Sequence, residues 1–337
     1  MSRMSMSAAI REGMREEMLR DENVIMIGED LGTLGNPFAI TKGFLEEFGP
    51  NRVIETPIAE SGFTGMAVGA AMRGIRPVVE LMYNDFIGDA LDPVMNQAAK
   101  LRYMTGGQVS IPMVIRAPMG AGRRNAGQHS ACLEALFTHI PGLKVICPSN
   151  GADAKALIKA AIRDDDPVIF LEHKLLYAKK FEVPDGEIVG EIGKAAVRRE
   201  GKDVTILTWS RQVEFALMAA EELAKTDGID AEVVDLRSLV PLDWETIRAS
   251  VEKTHQVLIL EEGVKRGGVG AEIGMEIVEE LFDELDGPVA RVAGLNVCSP
   301  FSPPLEDCVF PQVADTVQAV RAMLYHKTGE KVLAYGS

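Results

Sequence analysis

The chain has 337 residues, of which 47% are hydrophobic and 25% charged, and its formal net charge is −15. That charge repels nucleic acid and anionic membrane surfaces, and no apolar run approaches the roughly 20 residues of a membrane span. Aromatics make up only 6%, which favours α/β layers packed through small and aliphatic side chains over an aromatic-rich β sandwich, and the length allows two domains.

The N-terminus runs into an amphipathic helix with no signal-peptide core. Cys132, Cys147, Cys298 and Cys308 form no CxxC pair. A reducing cytoplasm is therefore the expected compartment, without structural disulfides or zinc.

Ile10, Met14 and Met18 recur at helical spacing and predict a helix over 7–20. Val24–Ile27 is a continuous apolar strand, of the kind buried on both faces of a parallel sheet. A strand from Arg52 to Glu55 leads through Pro57 to Glu60, at the mouth of a helix of small residues: Gly65, Ala67, Gly69, Ala70, Ala71 and Gly74. Each interior glycine costs a helix roughly 0.5–1 kcal/mol relative to alanine, so close packing or binding is the expected reason. Glu60 itself reads either as a helix-capping carboxylate or as a functional one.

Further strands are expected at Pro77–Glu80, Met113–Arg116, Leu143–Cys147 and Val168–Glu172. A helix from Ala152 to Ile162 enters through Pro148, Ser149 and Asn150. The stretch from Lys179 to Gly193 shows no long periodic run and reads as a connection between domains.

Alternation then resumes: strands at 203–208, 231–235, 256–261 and 289–292, and helices at 213–224, 244–253, 267–285 and 313–324. The expected fold is thus two doubly wound α/β domains, residues 1–187 and 188–337.

No Rossmann fingerprint or P-loop is present. Gly267–Glu272 reads as a helix N-terminus, whose amides could face an anion. After the 113–116 strand comes a loop with Gly120, Gly122, Arg123, Arg124 and His129. Chemistry in parallel α/β proteins sits on such loops, and a histidine there can shuttle protons or be merely structural. Met82 and Phe86 follow the 77–80 strand and read as core caps or as a lining for a flat heterocycle. Asp164, Asp165 and Asp166 oppose a helix dipole, which leaves a solvated acidic turn or a bound cation.

Taken in order, Gly28-Glu-Asp30, Thr56-Pro-Ile-Ala-Glu60, Gly69–Pro77, Arg102–Gly107, Gln128-His-Ser130, Pro141–Val145, Ala161–Asp164, Asp235–Asp243 and Pro300–Pro304 resemble the β subunit of the E1 component of 2-oxo acid dehydrogenase complexes. That family includes the pyruvate, branched-chain 2-oxo acid and acetoin dehydrogenases. The resemblance spans nearly the whole chain. It implies a transketolase-like pyrimidine-binding domain followed by a transketolase C-terminal-type domain. It also implies thiamine diphosphate as cofactor, whose ylid carries carbanion chemistry.

By the resemblance, Glu60 matches the glutamate on the pyrimidine nitrogen, and Phe86 the aromatic packed on that ring beside Met82. His129 matches the histidine that moves protons during acyl transfer to lipoamide. Potassium-ligand positions match Met113, Ala161, Ile162, Asp164 and Asp166, although Asp166 stands where asparagine is usual. The family anchors the diphosphate through Mg²⁺ on a Gly-Asp-Gly motif, and this chain has none. An E1 α subunit in an α₂β₂ heterotetramer is therefore expected to supply the phosphate half, with a dihydrolipoyl acyltransferase E2 as further partner. Acetoin cleavage, a self-sufficient transketolase-like enzyme and a non-catalytic scaffold are the competing readings.

Overall fold

The computed structural model describes residues 1–32 and 34–325. The chain divides into two compact units, one formed by Met1–Lys194 with Arg237–Leu242 and Cys298–Pro303, the other by the remainder. A single cut in the sequence therefore does not separate them, because two short segments from the second half belong with the first unit.

The first unit is built on a seven-stranded sheet. Its elements in chain order are β1 (Ser2–Ser5), α1 (Met6–Arg20), β2 (Val24–Gly28), α2 (Phe44–Phe48), β3 (Val53–Glu55), α3 (Glu60–Ala71), β4 (Arg76–Glu80), α4 (Leu101–Met104), β5 (Val114–Met119), α5 (Glu134–Thr138), β6 (Lys144–Ile146), α6 (Gly151–Arg163), β7 (Val168–His173) and β8 (Lys180–Val183). The second unit follows with β9 (Ala196–Arg199), β10 (Val204–Thr208), α7 (Gln212–Thr226) and β11 (Ala231–Asp235). β12 (Ser238–Val240) returns to the first unit. Then come α8 (Trp244–Thr254), β13 (Val257–Val264), α9 (Val269–Leu281), β14 (Ala290–Gly294), α10 (Pro303–Val309) and α11 (Val313–Tyr325).

The large sheet has the order β12-β6-β7-β5-β4-β2-β3. All neighbours run parallel except β12, which pairs antiparallel with β6. Its central strands are buried on both faces, as expected of strands that begin in apolar Val/Ile residues inside a parallel sheet. β2 has β3 on one side and β4 on the other, so the winding of the chain reverses there. At such a reversal the carboxyl ends of the strands open a crevice, the place where α/β sheets bind ligands.

Two expectations are corrected. The N-terminus does not lead directly into a helix, and Lys179–Gly193 is not wholly irregular. Ser2–Ser5 and Lys180–Val183 pair antiparallel as a two-stranded ribbon. Both strands are too short and polar to announce themselves by periodicity. α1 is capped by Ser5, which accepts from the Ala8 amide at 3.2 Å. The expected cap of α6 is present, the Asn150 side chain accepting from the Asp153 amide at 2.9 Å.

The α1–α6 packing buries charge in pairs. Glu17 is fully buried and meets Arg163 at 2.7 Å and Arg20 at 2.6 Å, while Lys155 and Lys159 reach Glu16 at 2.8 and 2.5 Å. Losing one partner here would leave an uncompensated buried charge.

The second unit has a five-stranded sheet, order β14-β13-β10-β11-β9, parallel except for β9 against β11. The amides opening α9 do not face an external anion. The buried Glu261 carboxylate occupies that end, accepting from the Gly270 amide at 3.2 Å. Gly268 and Gly270 are required there, because a Cβ at either would lie 2.8 or 2.7 Å from that carboxylate. Among the described residues no helix is long and apolar enough to cross a membrane.

Candidate active site

The crevice at the carboxyl ends of β2, β3, β4 and β5 gathers most of the residues singled out above. Gly28 aligns with Glu55 on one side and with Glu80 on the other, so the loops leaving these strands start at one level. Glu60 is the first residue of α3, where the helix N-terminus favours a carboxylate. It caps nothing: the N-cap residue is Ala59, without a side-chain cap. The Glu60 carboxylate has no hydrogen-bond or ion-pair partner among the described residues.

Beside it stands Glu29, which the sequence marks only as part of Gly28-Glu-Asp30, without a role of its own. Burial pushes its carboxyl up to about 7, and the charges of Glu60 and Asp30 add to the rise. The folded chain thus holds a proton that the unfolded chain, titrating near 4.5, has released. Stability from this group is present at acidic pH and lost as pH rises through 7. Glu29→Gln should flatten the melting temperature between pH 5 and 8, measured by calorimetry. A profile as steep as the parent's would show that Glu29 does not titrate there.

A second cluster surrounds His129. Its ring lies edge-on to Tyr83 at 4.5 Å and to Phe86 at 5.3 Å between centroids. Neither ring nitrogen has a hydrogen-bond partner among the described residues, so the imidazole is oriented by packing and keeps both nitrogens open for proton transfer. Phe86 sits on a 3₁₀ turn, Asn84–Gly88, directly after β4. Asn84 ties that turn to the His129 loop, donating to the Ala131 carbonyl at 2.9 Å and the Pro118 carbonyl at 3.3 Å. Phe38 packs 6.0 Å from Tyr83, and Arg123 lies over Phe38 at 5.4 Å. Met82 is half-buried on the same turn-in. Tyr83 was not singled out in the sequence, because its contact with His129 is long-range.

Under both clusters lies a closed ionic network. Arg116 is fully buried, donating to Glu80 at 2.5 Å and to both oxygens of Glu172 at 2.7 and 2.6 Å. Tyr177 adds a bond to Glu172 at 2.6 Å, and Asn36 one to Glu80. Burial holds the Glu80 carboxyl above the usual carboxylate range, with Arg116 opposing the shift. Every charge here is satisfied internally, so the network acts as a rigid floor.

Above that floor the accounting is different. Glu29 Oε1, Thr56 Oγ1, Thr64 Oγ1, Asn84 Oδ1, Asp85 Oδ2 and Ser130 Oγ are buried with no partner. All six lie on, or one turn beyond, the segments leaving β2, β3, β4 and β5. Buried polar atoms are ordinarily paired, and a cluster of unpaired ones marks a place where a polar ligand or a partner chain belongs.

The acidic turn after α6 is met by the chain's own cations. Lys144 holds Asp164 at 2.6 Å and lies 3.4 Å from Asp166, Arg76 pairs with Asp165 at 2.6 Å, and Arg102 pairs with Asp166. Arg76 also donates to the backbone oxygens of Ile162 and Asp164 at 3.1 and 2.9 Å. The oxygens of Met113 and Ala161 accept from the amides of Val168 and Asp164. The chain's own cations therefore balance the charge of this turn. Among the described residues no group of three or more His, Cys, Asp or Glu side chains could hold a metal ion.

Comparison with known proteins fits this geometry. The family model "Transketolase, pyrimidine binding domain" matches residues 2–180, and "Transketolase, C-terminal domain" matches residues 193–315. The chain is 48% identical to pyruvate dehydrogenase E1 component subunit beta-2, mitochondrial, of Oryza sativa subsp. japonica, covering 96% of this chain and 86% of that protein. It is 46% identical to the E1 subunit beta of Rhizobium meliloti, with 96% and 71% covered. Against that of Rickettsia felis the figures are 47%, 94% and 97%. Among solved structures, a split gene transketolase, described as an inactive beta4 tetramer, superposes with a TM-score of 0.78 at 27% identity, covering 95% of this chain and 98% of that one.

Proposed function

The chain belongs to the family of pyruvate dehydrogenase E1 component β subunits, built on transketolase-type pyrimidine-binding and C-terminal domains, and from that premise we propose that it is the β half of a thiamine-diphosphate-dependent 2-oxo acid dehydrogenase. Pyruvate is the favoured substrate, on the names of the relatives. The observation that carries the reading is the crevice itself: a Glu60 carboxylate and His129 ring nitrogens without hydrogen-bond partners among the described residues, with six buried polar atoms around them likewise unpaired there.

Thiamine diphosphate supplies a stabilised carbanion at its thiazolium carbon when bound. Glu60 would hold a proton at the pyrimidine ring nitrogen, the one place where a carboxylate at a helix mouth, with no internal partner, is of use. Phe86 and Met82 would pack against the flat ring. Glu29, titrating near neutrality beside Glu60, could exchange that proton within the crevice. His129, on the next loop, would deliver or remove a proton at the reacting carbon during acyl transfer to a lipoyl group. The rings of Tyr83 and Phe86 keep water from its flanks.

The diphosphate half and Mg²⁺ fall to an α subunit, since this chain has no Gly-Asp-Gly sequence. A lipoyl-bearing acyltransferase is the acceptor. The β tetramer of the split transketolase, described as inactive, supports the need for a second kind of chain. Calorimetric titration of thiamine diphosphate with Mg²⁺ tests this directly. Binding is expected for the αβ pair and not for this chain alone. Tight binding by the isolated chain would favour the self-sufficient transketolase-like reading.

The surface of α3 is where the α subunit is proposed to dock. Gly62, Gly65, Met66 and Gly69 form its exposed face. A Cβ on Gly69 meets nothing within 4 Å, and on Gly65 only Pro93 at 4.0 Å. The chain itself therefore gives no packing reason for these glycines. Gly69→Leu should raise the stability of the isolated chain by about 0.5–1 kcal/mol through helix propensity. It should also weaken association with the α subunit more than tenfold by blocking close approach. Unchanged affinity in sedimentation would place the interface elsewhere.

A further inference from the structure

Lys174 lies on the 3₁₀ turn Lys174–Leu176, immediately after the carboxyl end of β7, and is only 3% exposed. A buried ammonium is costly unless it does something specific. Its Nζ donates to the backbone carbonyl of His129 and stands over the ring of Tyr83, 4.9 Å from the centroid. That same ring touches the His129 imidazole. Lys174 thus reaches His129 by two routes, through the histidine's own backbone and through the aromatic that orients its side chain.

The loop bearing His129 needs such a hold. Gly120, Gly122, Arg124 and Ala126 all have positive φ, at +94, +92, +61 and +59°. For Arg124 and Ala126 that is a disfavoured conformation, which persists only when the surroundings impose it. The local backbone closure, from the His129 amide to the Ala126 carbonyl, is long at 3.5 Å. The turn carrying Lys174 is by contrast firmly set. The His173 ring accepts from the Leu175 amide at 3.2 Å and fills the space at Gly120, where a Cβ would come within 2.1 Å of the ring.

We propose that Lys174 is a positioning residue for His129, its ammonium pinning a strained loop so that the imidazole stays between Tyr83 and Phe86. The proposal rests on the role given to His129 above. Lys174 touches neither nitrogen of that ring and does its work through the loop and Tyr83.

The test uses the reconstituted αβ pair carrying Lys174→Met, His129→Ala or both, with hydrogen exchange of residues 120–130 followed alongside turnover. Lys174→Met is expected to lower lipoamide-linked turnover about 10–100-fold, the scale of a small misplacement of a reacting group, at an unchanged KM for the 2-oxo acid. Exchange across 120–130 should rise. The double variant should be no slower than His129→Ala, since two residues acting as one unit do not add. Should Lys174→Met fail to fold, Lys174→Gln enters the same comparison. Wild-type turnover with unchanged exchange would overturn the proposal, as would a double variant whose loss is the product of the two single losses. If the unmodified pair turns over no 2-oxo acid, the functional reading falls, while the exchange measurement still decides whether Lys174 holds the loop.

Discussion

Replacing Glu60 by glutamine in the reconstituted αβ pair is expected to reduce turnover at least ~10³-fold, equivalent to roughly 4 kcal/mol of lost transition-state stabilisation. Glutamine is nearly the same shape and sits at the same helix mouth, so the fold should be unaffected. Among the described residues the carboxylate makes no bond whose loss would destabilise the chain, and melting within a degree or two of the parent is expected. What the amide cannot do is carry charge to a ring nitrogen. A second consequence is independent of activity. Part of the rise that carries the Glu29 carboxyl to about 7 comes from the charge of Glu60. Removing that charge should bring the Glu29 carboxyl back toward 4.5 and shift the pH dependence of melting to lower pH. Near-normal turnover would remove Glu60 from the chemistry. Lost turnover with an unmoved melting profile would separate Glu60 from Glu29.

How far the sequence foretold this site depends on whether the signal was local. The strands were legible because burial on both faces writes continuous Val/Ile runs, and β2, β4, β10, β11 and β13 fall where those runs stand. The cap at Asn150 was legible from residue type and position. β1, β8 and β12 were not, being three or four residues long and stabilised only by partners distant in sequence. Likewise Glu60 and His129 stood out because each follows a strand, Glu60 at a helix mouth and His129 on a loop. Glu29, Tyr83 and Lys174 did not, because their meaning arises from contacts across 31, 46 and 45 positions. At the acidic turn the three acids at a helix end left a solvated turn and a bound cation both open, and the side chains that pair with them, Arg76, Arg102 and Lys144, are all remote in sequence.

His129→Ala is the second large effect. Transfer of the acyl unit to lipoamide should fall about 10²–10⁴-fold, the usual range for a general acid–base group. Reduction of an artificial electron acceptor, which bypasses lipoamide, should fall much less. The structure gives a reason for this division. His129 is held by aromatic edges at 4.5 and 5.3 Å on a loop outside the sheet, whereas Glu60 opens a helix that packs on β4 and β2 of the sheet. On the proposed function, the carboxylate serves every turnover and the imidazole meets the lipoyl group that enters past the loop. Alanine would also remove the ring against which Tyr83 and Phe86 pack. His129→Gln is therefore the necessary control, since it keeps bulk there without a titratable nitrogen. If both variants lose the lipoamide reaction and keep the bypass reaction, His129 acts as a proton carrier in acyl transfer. If glutamine restores the lipoamide reaction, its part is spatial, and the proton must come from Glu29 or from the partner chain.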